Sequence, residues 1–222
     1  MEVAKSKSVT YDCMLLSKDS VEKVKEILEQ SDILCTLKTL GISIPDIIMQ
    51  ENMHCTLRYM AGKNNEHKRD YQLCNDELHR PTSIVITEIG AYAKDDILRN
   101  IGFRVDETQC ACEGEPIPSE FFTNDISHIT VAINQDVDAE GKRLAKAVDT
   151  PMCFFDRVYE DNEFCYTILL AEPIELDATL EAIVGREIVE TLSDYPELRE
   201  ERERKEEEQQ YQAENDEYEM EI

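Results

Sequence analysis

Residues 53–60 read MHCTLRYM, and residues 127–133 read SHITVAI. Successive side chains of a strand point to opposite faces, so Met53, Cys55, Leu57 and Tyr59 share one face while His54, Thr56 and Arg58 share the other. In the second stretch Ile129, Val131 and Ile133 oppose His128, Thr130 and Ala132. Each stretch is predicted to be a strand with a complete apolar face and with His, any residue, Thr on the face turned away from it. The chain has only four histidines. Two of them stand in this one setting.

The flanking segments place these strands in a fold. VTYDCMLLS (9–17) reads as a short strand, and KDSVEKVKEILEQ (18–30) as a helix with Val21, Val24, Ile27 and Leu28 at helical spacing and Ser20 as its N-cap candidate. Residues 33–52 read as an irregular connection broken by Gly41 and Pro45, and residues 61–82 as a polar loop. SIVITEIGAYA (83–93) is the next strand and GFRVDE (102–107) a shorter one. Residues 108–124, with Gly114, Pro116 and Pro118, form a long loop able to fold over a site. DAEGKRLAKAV (138–148) reads as a helix despite Gly141, and residues 154–176 as two strands joined at EDNE. The order describes two similar halves, each bringing one His-x-Thr strand. It predicts an α+β fold of two antiparallel sheets with helices outside.

Composition bounds the partners. The 222 residues carry 49 acidic and 23 basic side chains, net −26. Such a surface repels nucleic-acid backbone, so non-specific DNA binding is not expected and an anionic ligand must be held by a local pocket. Residues 186–222 hold fifteen acidic and five basic residues and lose apolar spacing beyond Pro196. They read as an acidic, helical-to-disordered tail suited to a basic partner, and residues 1–185 as the folded domain. The opening MEVAKSKSVTYD has no apolar run behind its lysines, so neither a secretion signal nor a membrane anchor is expected there. A cytoplasmic setting with the eight cysteines reduced is therefore the expectation. Only Cys110 and Cys112 are close neighbours, and they lack the second ligand pair of a structural zinc site. No metal and no cofactor are expected.

Two His-x-Thr faces suit phosphodiester cleavage. One imidazole takes a proton from the attacking oxygen, and the other gives one to the departing oxygen. Two threonine hydroxyls donate to the non-bridging oxygens as charge builds there. Arg58, on the face of His54, either meets a second phosphate or reaches water as a strand-end residue. Tyr11, Tyr92 and Phe103 either stack on a base or pack in the core.

ENMHCTLRYM (51–60) and SHITVAI (127–133) resemble the two signature motifs of the two-histidine (2H) phosphoesterase superfamily. The resemblance runs roughly from Val9 to Asp177, with only the two motifs specific, and its compact phage-type, anti-defence members are the most similar in element order. It implies a bilobal fold whose sheets flank a central cleft. By the same resemblance His54 and His128 are the catalytic acid and base, Thr56 and Thr130 the phosphate binders, with Arg58, Tyr11 and Tyr92 as substrate-binding candidates. The implied activity is metal-independent cleavage of a small cyclic or linear oligonucleotide signal. Opening of 2',3'-cyclic phosphates at RNA ends is the alternative, and sequestration of a nucleotide without turnover is a third.

Overall fold

A computed structural model describes residues 10–45, 47–59, 76–155, 162–184 and 187–190. The strands β1 (Tyr11–Leu16), β2 (Ile47–Met49), β3 (His54–Tyr59), β4 (Pro81–Lys94) and β5 (Ile97–Val105) are followed by the two-residue β6 (Ala111–Cys112) and β7 (Glu115–Pro116). β8 (His128–Asn134), β9 (Glu163–Val184) and the two-residue β10 (Glu187–Ile188) complete the set. Two α-helices, α1 (Lys18–Gln30) and α2 (Ile33–Thr39), lie between β1 and β2.

The predicted pair of sheets flanking a bilobal cleft is not what forms. β9, β1, β3, β8, β5 and β4 pair side by side, all antiparallel, and β4 pairs back onto β9. The six strands therefore close into one barrel, and the protein is mostly β with a single long helix. Closure rests on the 22-residue β9, whose Ala178 and Thr179 pair with β1 on one side and β4 on the other. It also rests on a seam between β3 and β8 of one register pair, Cys55 with Ile129.

The predicted apolar faces hold through Leu57 and Val131, beyond which the phase shifts: Tyr59 is 50% exposed, and Ala132 rather than Ile133 joins the core cluster. Met14, Cys55, Ile129, Phe103 and Leu180 are buried members of one cluster to which all six barrel strands contribute. α1 adds Val21, Val24 and Leu28 to it. Burying three such side chains is worth roughly 1.5–3 kcal/mol each, more than the intrinsic propensity of a 13-residue helix supplies. Its N-cap is Ser17, not Ser20: the Ser17 hydroxyl accepts from the Ser20 amide at 3.2 Å.

Three local predictions fail for physical reasons. Residues 33–39 are helical, because Ile33 and Leu37 lie one turn apart and both reach the core. Residues 138–148 do not make a helix. The Asp138 carboxylate takes the amides of Glu140 and Lys142 at 3.0 and 2.8 Å, Gly141 turns at φ +76°, and a tight turn closes on a Val137–Arg143 bridge. The 108–124 loop does not fold over the histidines. Cys110, Ile117 and Phe122 join the core cluster on the opposite face, while Thr123 and Asn124 donate to the Leu57 and Thr56 carbonyls of β3.

The body continues past residue 185. β10 pairs with β9, and Val189 is buried in the core. Residues 191–222 of the tail, 61–75 of the polar loop and the first half of the predicted EDNE turn lie outside the described residues. Among the described residues no helix is long and apolar enough to cross a membrane.

Candidate active site

The seam brings the two His-x-Thr segments together. With Cys55 opposite Ile129 in an antiparallel register, one step either way sets His54 across from Thr130 and Thr56 across from His128. All four side chains share the face opposite the core, and all four are half-buried. Residues directly opposed in such a ladder have Cβ atoms about 5 Å apart, and diagonal ones about 7–8 Å. The two imidazoles occupy one diagonal and the two hydroxyls the other. That spacing fits four groups around a single phosphate.

Both rings are anchored in the same way. His54 Nδ1 lies 3.0 Å from the Asn52 carbonyl, and His128 Nδ1 lies 2.8 Å from the Ile126 carbonyl. A carbonyl only accepts, so Nδ1 carries the proton in both rings and Nε2 is the nitrogen left for chemistry. Burial pushes both imidazoles below their ordinary value, their carbonyl partners partly offset this, and the positive charge of His54 lowers His128 further.

Each strand bulges immediately after its threonine. On β3 the register with β1 slips between Thr56 and Arg58, and on β8 the register with β5 slips between Thr130 and Ala132. A bulge puts two consecutive residues against one partner and re-aims the side chains beyond it. Arg58 is thereby paired with Asp12, whose other neighbour is the core residue Ala182, so Arg58 faces away from the histidines. It is 6% exposed. Burial raises the Asp12 carboxyl to about 7, with the Arg58 charge opposing and Glu77 reinforcing the shift. The strict alternation that put Arg58 beside His54 fails here, and the predicted second-phosphate contact fails with it.

Of the predicted aromatic residues, Tyr11 stacks on the His54 ring, with centroids 5.1 Å apart and planes at 18°. Burial, reinforced by nearby Cys13, pushes its hydroxyl up to about 12, so the ring stays neutral beside the imidazole. Tyr92 is 7% exposed and packed with Cys153 and Phe154, and Phe103 is fully buried. Neither offers a ring face to a ligand.

Two features escape a reading of the motifs alone. Arg104 of β5 is the register partner of His128, half-exposed and 3.3 Å from Glu88. Among the described residues it is the cation that register places beside this site, and the signal for it was the polar phase of GFRVDE, in which Arg104 alternates with Phe103 and Val105. The second is a 3-10 segment, Ala147–Phe154, laid across the same face. Gly90 and Gly102 admit it: a Cβ on Gly90 would lie 2.7 Å from the Phe154 ring, and one on Gly102 would lie 2.5 Å from Thr150 Cγ2. There Thr150 Oγ1 meets Thr130 Oγ1 at 2.9 Å.

No protein-family model matches the chain, and no curated protein matches it. The architecture has a solved counterpart. Its fold is similar to part of a fungal RNA kinase. The crystal structure of that protein superimposes with a TM-score of 0.51 at 15% identity, over 81% of this chain and 46% of that one. The chain thus spans less than half the length of the kinase, and the likeness is one of fold.

Proposed function

We propose that the protein is a metal-independent phosphodiesterase acting on nucleotide phosphodiester bonds. The observation that carries the reading is the shared face of His54, Thr56, His128 and Thr130, with both Nδ1 atoms tied to backbone carbonyls and both Nε2 atoms left for proton transfer. One Nε2 accepts a proton from a water or ribose hydroxyl as that oxygen attacks phosphorus. The phosphorus–oxygen bond on the far side breaks, and the other Nε2–H protonates the departing oxygen. The Thr56 and Thr130 hydroxyls donate to the non-bridging oxygens. Throughout, each Nδ1–H stays on its carbonyl, which holds ring orientation through the cycle.

The substrate carries few phosphates, because among the described residues Arg104 is the cation registered beside the four groups and the protein is strongly acidic. Small cyclic or linear oligonucleotides and 2',3'-cyclic phosphates at RNA ends both meet that condition. The likeness to a fungal RNA kinase favours including RNA ends. The test is turnover of cyclic dinucleotides, cyclic trinucleotides, 2'-5' oligoadenylate and cyclic-phosphate-ended RNA, with and without excess chelator. Cleavage of at least one, unaffected by chelator, is expected; binding without cleavage of any would identify a nucleotide sponge instead.

The pH dependence has a definite sign. A productive complex needs one neutral and one protonated imidazole, and both rings titrate below the ordinary value of 6.5. Raising pH from 6.5 therefore empties the acid form while the base is already neutral. The kcat/KM profile is expected to peak below pH 6.5 and to fall about tenfold per pH unit on its alkaline limb. An optimum above pH 7.5 would contradict this assignment.

The arginines separate cleanly. Arg104→Gln is expected to raise KM about tenfold with the melting temperature nearly unchanged, as loss of one exposed anion contact should. Arg58→Gln leaves Asp12 buried beside a lost charge, so it is expected to lower the melting temperature and spare KM. Steady-state kinetics and thermal melts on the two variants check both.

A further inference from the structure

We infer that Thr150 is a positioning residue for the Thr130 hydroxyl, the middle link of a hydrogen-bond relay that begins at Asn100; the inference rests on the phosphodiesterase reading. The polarity of the relay is fixed by its ends. Asn100 Nδ2 donates to the Lys146 carbonyl at 2.7 Å, which sets the orientation of the amide. The same Nδ2 lies 3.1 Å from Thr150 Oγ1, so that oxygen must accept. Thr150 is fully buried. Among the described residues its own proton has one acceptor in reach, Thr130 Oγ1 at 2.9 Å.

Were Thr130 the donor of that bond, the Thr150 proton would be buried without a partner, an arrangement folded proteins avoid. Thr150 therefore donates and Thr130 accepts. The proton of Thr130 is left to turn toward the half-buried face it shares with His54 and His128, where a phosphate oxygen is its natural acceptor. Thr56 has no such side-chain support among the described residues: the bond made at that position is from Asn124 Nδ2 to its backbone carbonyl. The two halves of the repeat are thus unequal, and the β8 hydroxyl is the pre-oriented one.

The relay also explains the close approach of the 147–154 segment at Gly102. Thr150 reaches Thr130 only because Gly102, the register partner of Thr130, has no Cβ. Asn100 lies two residues earlier on β5, on the same face, in position to receive the start of the segment at Lys146.

Two readouts test the relay independently of whether the enzyme reading is right. The first is the affinity for inorganic phosphate, followed through the histidine ring resonances of the full chain; the second is kcat and KM on any substrate of the panel that the wild type cleaves. Thr150→Val keeps the shape and removes the hydroxyl, whereas Thr150→Ser keeps the hydroxyl. Thr150→Val is expected to weaken phosphate binding about tenfold and to lower kcat by at least as much with KM changed less, because the lost donor acts most on developing charge. Thr150→Ser is expected to recover both to within about threefold.

Asn100→Asp supplies a second route that leaves Thr150 in place. A carboxylate accepts the Thr150 proton, reverses the relay and takes the donor from Thr130, so it should reproduce the Thr150→Val defect. The inference is overturned if Thr150→Val matches the wild type in phosphate affinity, if Val and Ser are equally impaired, or if the wild type does not bind phosphate at this face. Absence of turnover across the panel, with the phosphate series behaving as described, sinks the phosphodiesterase reading alone and leaves the relay standing.

Discussion

Exchange of either imidazole for asparagine, His54→Asn or His128→Asn, is expected to lower kcat about a thousandfold while the protein stays folded and still binds its substrate. Asparagine is the informative replacement because its Nδ2 can keep the bond to the Asn52 or Ile126 carbonyl. The exchange removes Nε2, the atom assigned to proton transfer. General acid–base groups are worth about 10²–10⁴ in rate, and the described part of this face offers no obvious substitute. The two carboxylates along the row are both engaged: Glu88, separated from His128 by Arg104, lies 3.3 Å from Arg104, and Glu181, separated from Thr56 by Cys13, lies 2.8 Å from His79 Nδ1. The double variant should be little worse than either single one, since groups that act in one proton-transfer cycle are not additive. Turnover and substrate affinity measured side by side decide the matter: a variant that keeps even a tenth of wild-type kcat would remove that histidine from the mechanism.

Gly102→Ala is expected to be the most damaging of the small substitutions. The new Cβ would meet Thr150 Cγ2 at 2.5 Å and the Ile129 carbonyl oxygen at 2.9 Å, closer than van der Waals contact allows. Neither neighbour is the tip of a flexible chain, so the 147–154 segment has to lift from β5. Overpacking of this kind costs about 1–3 kcal/mol, which in a protein of this size lowers the melting temperature by roughly 2–10 °C. Turnover should fall further than stability implies, because lifting Thr150 opens its bond to Thr130. Adding Thr150→Ser removes the colliding Cγ2 while keeping the hydroxyl, so the double variant should regain part of both losses. Two additive substitutions would show that the pair does not couple, and the close approach at Gly102 would then not be what seats the segment.

The His-x-Thr strands, the apolar phase beneath them and α1 were legible from residues alone because each is encoded by near neighbours: a period of two for a strand, a period of 3.6 for a helix. His54, Thr56, His128 and Thr130 could be named from that local pattern, and so could the face they share. Closure of six strands into one barrel was not legible, because it depends on Ala178 and Thr179 pairing with β1 and β4 at once, partners far away along the chain. The fate of Arg58 was equally hidden. Alternation places it beside His54, and only the register of β3 against β1 introduces the bulge that turns it toward Asp12. Arg104 and Thr150 entered the site for the same kind of reason, one by pairing with β8 and the other through the absence of two β-carbons on a distant hairpin. Side-chain direction within a strand is a local property of the chain, whereas register, bulges and close approach are settled by contacts between segments that the linear order keeps apart.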